Sequence, residues 1–230
     1  MQEPIDAAIG SPVEAIDTPA LLVDLDRLAA NLRVLQSPVR AAAWVHCTPA
    51  IAHLQLQGRH VAGIAVRGVA EAEVFAAAGC EDIRILRPLV TASTRRRAHA
   101  LAGSARIVTD DDGLALWEED ALAGAVTVSA MVASTPEPDR AIHDCGQKAI
   151  GRDTASPTVK GRKGLIANAG SAEHGIVAVR SGAQPFSIGD WLELIPGDVA
   201  TAFALHDIAY GVRDGVLEAV WPVSARGAWQ

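Results

Sequence analysis

Lysine, the residue best suited to covalent amine chemistry, is scarce in this sequence. Only three of the 20 basic residues are lysine, at positions 148, 160 and 163, and none lies among the first 147 residues. A primary amine can hold a carbonyl compound as an imine and shuttle protons. The first half of the chain therefore lacks a side chain for this chemistry. Lys148, within Asp144-Cys-Gly-Gln-Lys-Ala149, is the candidate that remains, and the other two lie on a predicted exposed loop.

Histidines and carboxylates offer metal binding as a second kind of chemistry. Glu173-His174, Asp198 and His206 form a conceivable set of oxygen and nitrogen ligands. Asp110, Asp111 and Asp112 suggest Mg²⁺, but three acids at the start of a predicted helix are better explained by its dipole. The three cysteines have no short paired spacing, which predicts reduced thiols rather than disulfides or a zinc ribbon.

Composition excludes several classes of function. The 230 residues carry 20 basic and 27 acidic side chains, a formal charge of −7. Because the basic residues are dispersed, apart from Arg95-Arg96-Arg97 on a predicted helix, we expect no nucleic-acid partner. No apolar run approaches the ~20 residues that span a membrane, and the first residues do not resemble a signal peptide. We therefore expect a cytoplasmic protein without a membrane partner.

The first half of the chain alternates strand-like and helix-like segments. Apolar residues at helical spacing, helix-capping residues and closing glycines predict four βα units in a row. Such units form a parallel sheet with right-handed crossovers. The predicted strands are Arg40–Val45, His60–Val66, Asp82–Leu86 and Ala105–Thr109, and the last predicted helix is Asp110–Leu122.

After Gly124 the pattern changes to alternating apolar and polar residues with turn signals and no clear helix. Residues 208–212 and 216–223 flank Arg213-Asp214-Gly215, and Asp-Gly is a strong hairpin signal. Residues 152–163, rich in Pro, Gly, Ser and Lys, predict an exposed loop. The fold class is therefore α/β followed by β, with domains at 1–124 and 125–230.

Five segments in order resemble the D-serine dehydratase/D-threonine aldolase-like family. The segments are Asp17-Thr-Pro-Ala-Leu-Leu-Val-Asp-Leu-Asp26, Gly68-Val-Ala-Glu-Ala-Glu73 with Ala77-Ala-Gly79, Asp144-Cys-Gly-Gln-Lys-Ala149, Glu173-His-Gly175 and Trp221-Pro-Val-Ser-Ala-Arg-Gly227. The resemblance implies an alanine-racemase-type fold (fold type III), in which a (β/α)8 barrel that binds pyridoxal phosphate (PLP) precedes a β domain. It also implies lyase activity on D-amino acids.

Both signature sites of that family are altered here. The resemblance assigns the Schiff-base lysine position to Trp44, within Ala41-Ala-Ala-Trp-Val-His-Cys47. His46 matches a family histidine at the end of the first barrel strand; it is either a retained ligand contact or a polar residue that caps the strand. The family's zinc ligands, a histidine and a cysteine, are replaced by Asp198 and Ala200, leaving His174 as a weak metal candidate. We therefore expect PLP and zinc to be lost.

Length adds a third departure. A full barrel needs ~250 residues, whereas residues 1–124 hold four βα units of ~30 residues, about half a barrel. Such a half should expose apolar surface, which favours a homodimer, repacking onto the β domain or poor stability.

Three hypotheses about function follow. The first, which we favour, is a catalytically inactive or repurposed relative (a pseudoenzyme) that acts through a small-molecule or protein partner. The second is an active PLP-dependent carbon–nitrogen or carbon–carbon lyase of D-serine or D-threonine type, working through a non-standard lysine such as Lys148. The third is a deletion remnant without function.

Overall fold

A five-stranded parallel sheet and a larger, mostly antiparallel sheet organise the chain. The computed structural model describes residues 8–152, 155–180 and 183–229. The strands are β1 (Ala20–Asp24), β2 (Val39–Ala42), β3 (Val61–Val66), β4 (Asp82–Ile85), β5 (Arg106–Val108), β6 (Ala115–Trp117), β7 (Val126–Glu137), β8 (Arg140–His143), β9 (Thr158–Val159), β10 (Leu165–Asn168), β11 (Gly175–Val179), β12 (Trp191–Ile195), β13 (Ile208–Arg213) and β14 (Val216–Pro222).

Seven α-helices connect these strands. They are α1 (Leu25–Arg33), α2 (Ala43–His46), α3 (Pro49–Leu56), α4 (Val69–Ala77), α5 (Ala92–Leu101), α6 (Gln147–Ile150) and α7 (Val199–Leu205), with 3₁₀ turns at Val13–Ala15 and Glu119–Leu122. These counts cover the described residues. Within the same residues, no helix is both long and apolar enough to cross a membrane.

The division into two units differs from the contiguous one that the sequence predicts. One unit, the β unit, contains the described residues up to Arg27 together with Gly124–Trp221; the other, the parallel unit, contains Leu28–Ala123 and the chain from Pro222 onward. One boundary between the two units falls between Ala123 and Gly124. The first strand nevertheless belongs to the β unit, because β1 pairs in parallel with β13 and antiparallel with β7.

The parallel sheet has the strand order β5-β4-β3-β2-β6. One face carries the apolar row Ala41, Ile64 and Ile83, all fully buried. Helices α3 and α4 pack against β3 and β4. The predicted fold class, α/β followed by β, is thus confirmed, although the strand predicted at Arg40–Val45 ends at Ala42, where the buried helical turn α2 begins.

The opposite face of this sheet is ionic rather than apolar. Arg40, only 1% exposed, reaches across Gly63 to Asp82 and also binds Asp112, with N–O distances of 2.7 and 2.6 Å. A Cβ on Gly63 would lie 2.4 Å from Arg40 Nη1, so only glycine leaves room for the arginine. The hydrogen bond from Arg40 holds the pKa of Asp112 below its usual value. This face of the sheet is therefore covered by ion pairs rather than by apolar side chains.

The connection from β5 to β6 replaces the helix predicted at Asp110–Leu122. Six residues, 109–114, link strands at opposite edges of the sheet, four strand spacings or ~19 Å apart. Asp112 in this segment binds Arg40 and Arg84, so the segment crosses the ionic face. The acids therefore do not open a helix; Asp111 and Asp112 pair with arginines. The helix prediction was wrong because it could not anticipate these distant partners.

The β unit has the strand order β10-β11-β8-β7-β1-β13-β14, with β12 pairing β7 and β9. The predicted hairpin is present, with left-handed φ angles of 48° at Asp214 and 74° at Gly215. The segment predicted as a loop at 152–163 contains the short strand β9, and residues 153 and 154 lie outside the described residues. The expectation of no helix here was wrong, since α6 and α7 are both helical.

Candidate functional site

Trp44 lies at the carboxyl end of β2, where ligand sites of barrel folds are found. The short helix α2 turns its side chain into the parallel unit, leaving it 8% exposed. The Arg67 guanidinium carbon lies 5.4 Å from the centre of the indole ring. An indole offers neither a nucleophile nor a base, so this position can stack against a planar group but cannot form an imine.

His46 is fully buried and engaged within the chain. Thr48 N donates to its Nδ1 at 3.0 Å, which places the ring proton on Nε2, 3.1 Å from Gln55 Oε1. Burial lowers its pKa to about 4. Both ring nitrogens are used by neighbouring residues, which favours the strand-capping alternative over a ligand contact.

Glu71 binds the backbone that follows β3, the strand next to β2. It is 3% exposed, and its Oε2 accepts from the backbone N–H groups of Arg67 and Gly68 at 2.5 and 3.1 Å. These bonds satisfy donors at the start of α4, which would otherwise be unpaired. Burial raises the pKa of Glu71. The carboxylate is therefore occupied by the loop that presents Arg67.

The end of the chain lies against the same edge of the parallel sheet. Ala225 N donates to Cys47 O at 2.9 Å, and Arg87 donates from Nη1 to Trp229 O at 3.2 Å. Arg87 also lies over the Trp229 ring, 6.0 Å from its centre. The sequence did not indicate Arg67, Arg87 or Trp229 as site residues. The segment that carries Trp229 and contacts Arg87 follows β4 only after more than 130 residues.

Lys148 and His174, two candidate site residues, lie in the β unit. Lys148 is on α6 with its side chain 71% exposed, and its ammonium pairs with Glu173. His174 is exposed beside Glu173. A solvent-exposed, ion-paired ammonium is typical of an ordinary surface lysine.

The residues at the two zinc-ligand positions have local roles. Asp198 caps α7 by accepting a hydrogen bond from Thr201 N. Ala200 lies on the same helix, and its side chain has no atom that could bind a metal. His206 Nε2 lies 2.7 Å from Ala149 O. Among the described residues there is no group of three or more histidine, cysteine, aspartate or glutamate side chains that could hold a metal.

Two of the sequence motifs meet around His143. This residue is fully buried, and its Nε2 has no hydrogen-bond partner. A Cβ on Gly175 would lie 2.1 Å from His143 Cε1, so the glycine of Glu173-His-Gly175 is required by packing. Asp144 accepts from Thr18 Oγ1 and from Met131 N, joining the first motif to the third. These motif residues therefore hold the β unit together.

The parallel unit does not fit a covalently held PLP. It spans residues 28–123 and 222–230 and contains no lysine. Trp44, at the position that the family resemblance assigns to the lysine, is buried and covered by Arg67. This unit therefore has no amine that could hold PLP as an imine.

Comparisons with known proteins agree with the resemblance seen in the sequence. Residues 125–212 match the family described as "Putative serine dehydratase domain". A D-threonine aldolase from Arthrobacter sp is 41% identical over 127 residues, covering 55% of this chain and 34% of that protein. A 3-hydroxy-D-aspartate aldolase from Paracoccus denitrificans is 39% identical over 111 residues, 48% of this chain and 27% of that protein. The matched region thus spans about a third or less of these relatives.

Solved structures match over more of the chain and show its fold. The crystal structure of D-threonine aldolase from Filomicrobium marinum aligns with a TM-score of 0.87 at 21% identity, covering 98% of this chain and 100% of that one. An alanine racemase-like protein from Idiomarina loihiensis aligns with a TM-score of 0.78 at 15% identity, covering 94% and 99%. The chain therefore shares the fold of these two proteins. The matching family model and the similarity to D-threonine aldolase confirm the resemblance predicted from the sequence.

Proposed function

We propose that this protein is a non-catalytic relative of D-threonine aldolase and D-serine dehydratase-like enzymes. The observation that carries the proposal is Trp44, buried at the carboxyl end of β2 in a unit without lysine. The Arg67 guanidinium lies over its ring, with its central carbon 5.4 Å from the ring centre, and supplies no amine that could form an imine. On this proposal PLP is not held as an imine, and zinc is not held at Asp198 and Ala200.

An activity assay tests the loss of lyase chemistry. The purified protein, supplied with excess PLP and either Zn²⁺ or Mn²⁺, is incubated with D-threonine, 3-hydroxy-D-aspartate and D-serine. We expect aldehyde, glycine and keto acid to form no faster than with PLP and metal in buffer, because the Trp44 site has no lysine to hold PLP. The buffer reaction is the reference, since free PLP itself catalyses these reactions slowly. Turnover above that background would contradict the proposal.

The second candidate function is a lyase that uses Lys148, the lysine in a family motif. Its exposed ion pair with Glu173 gives it no feature of an activated amine. If turnover is found, Lys148→Met distinguishes the two accounts, with Lys160→Met as the matched control, since Lys160 also pairs with a carboxylate, Glu193. Loss of turnover in Lys148→Met but not in Lys160→Met would establish this second function.

The third hypothesis is a deletion remnant without function, and the stability of the folded chain tests it. The ionic layer around Arg40 and the buried cores of both units support an ordered protein. We expect a cooperative thermal transition, measured by circular dichroism and calorimetry. Aggregation on expression, or a broad transition without a heat-absorption peak, would favour a remnant.

We also propose a homodimer and a cytoplasmic location. Strands β5 and β6 are the two edges of the parallel sheet, and unpaired strand edges favour association with another chain. Sedimentation equilibrium is expected to give twice the 23.9 kDa chain mass; a stable monomer at all concentrations would contradict the dimer. All three cysteines are free thiols, which supports a reducing compartment.

A further inference from the structure

We propose that Arg67 and Arg87 form a binding site for a small oxyanion, a carboxylate or phosphate group, at the carboxyl edge of the parallel sheet. This inference goes beyond the proposed loss of lyase chemistry, because it concerns non-covalent binding and needs no lysine. It assigns a ligand class to the edge of the sheet that Trp44 occupies.

The two arginines begin from neighbouring positions. Arg67 is the first residue after β3, and Arg87 is the second residue after β4. The backbone N–H of Arg87 donates to Arg67 O at 3.0 Å. Trp229 O, which accepts from Arg87, lies 3.9 Å from the place that a Cβ on Gly68 would take. The Arg87 guanidinium is thereby held beside the residue that follows Arg67.

Aromatic stacking, rather than ion pairing, holds both guanidinium groups. Arg67 lies over Trp44 and Arg87 over Trp229. Among the described residues, no carboxylate lies within ion-pair distance of either group; by contrast, Arg40, Arg84 and Arg97 are all paired with acids. Stacking leaves the N–H edges of a guanidinium available, and these edges match the oxygens of a carboxylate or phosphate.

The surrounding charges favour an anion. Helices α4 and α5 begin just after Arg67 and Arg87, so their positive dipole ends lie at the same edge of the sheet. Glu71 interacts electrostatically with both Arg67 and Arg87 and offsets part of their charge, and its Oε2 accepts from two backbone N–H groups. A concentration of positive charge is notable in a chain whose formal charge is −7.

Indole resonances report directly on this site. The five tryptophans give separate ¹⁵N-indole signals, assigned by single Trp→Phe variants. Inorganic phosphate and malonate are titrated separately at constant ionic strength, with chloride as the reference. We expect saturable shifts of the Trp44 and Trp229 signals, with a Kd on the order of 1 mM, and none for Trp191 in the β unit. Response to phosphate only or to malonate only would identify which oxyanion group the site takes.

Matched arginine variants complete the test. Arg67→Gln and Arg87→Gln are expected to weaken binding about tenfold or more, as loss of a charge-assisted pair predicts. Arg96→Gln, an exposed arginine on α5, should bind as the parent does. Thermal melts check folding, and Arg67→Lys, which keeps the charge, serves if Arg67→Gln is unstable. Absence of saturation, or equal weakening in Arg96→Gln, would overturn the proposal.

Discussion

Replacing Arg40 by leucine is expected to lower the free energy of unfolding by about 3 kcal/mol. The arginine is 1% exposed and binds Asp82 and Asp112 on the face of the parallel sheet. Removing a buried ion-pair partner costs several kcal/mol even where the intact pair adds little. Each aspartate would keep one arginine, Arg106 for Asp82 and Arg84 for Asp112. The segment 109–114 would lose one of its attachments to the sheet, since Asp112 belongs to it.

Arg106→Leu is the matched control, because Arg106 binds the same Asp82 but is 65% exposed. An exposed ion pair contributes less than about 1 kcal/mol. Urea titration of both variants, followed by circular dichroism, gives the two free energies. Equal and small effects would show that the ionic layer does not hold the parallel sheet together.

Stability is expected to fall steeply as the pH drops from about 6.5 to 4. Burial lowers the pKa of His46 and of His143 from 6.5 to about 4 in the folded protein. Between pH 6.5 and about 4, these two histidines are therefore protonated in the unfolded chain but neutral in the folded chain. Their contribution is complete above pH 6.5 and is lost as the pH falls, by roughly 3 kcal/mol for each histidine once both states are protonated. Glu71, whose pKa is raised by burial, acts in the opposite direction.

Urea titrations at several pH values measure this effect. His143→Gln should reduce the acid-induced loss of stability by about half, because one of the two histidines with a lowered pKa is removed and His46 remains. His99→Gln, at an exposed position, should leave it unchanged. An acid limb that is as steep in His143→Gln as in the parent would contradict the assignment.

Local signals in the sequence account for much of the fold. The Asp214-Gly215 turn, the closing glycines and the alternation of strands and helices lie within a few residues of the elements they predict. The placement of β1 depends instead on β7 and β13, more than 100 residues away. The same limit applies to residues 110–122, where pairing of Asp112 with Arg40 and Arg84 prevails over the local preference for a helix.

The candidate site divides in the same way. Trp44 and the scarcity of lysine were visible in the sequence, because each is a statement about residue type at a position. The arginines at the ends of β3 and β4 carried no signal, since their indole partners come from α2 and from the end of the chain. His46 and Asp198 could be named but their hydrogen bonds could not, because Gln55 and Thr201 become their partners only through helix formation.

Intact mass after borohydride reduction tests the central claim most directly. The protein is incubated with PLP, reduced so that any imine becomes a stable amine, and weighed beside its Trp44→Lys variant. We expect no stoichiometric pyridoxyl adduct on the parent protein, only the sparse labelling that exposed lysines give, whether or not the variant regains an adduct. A single stoichiometric adduct on the parent, mapped by peptide analysis to Lys148 or another lysine, would contradict the claim that this chain has lost covalent PLP chemistry.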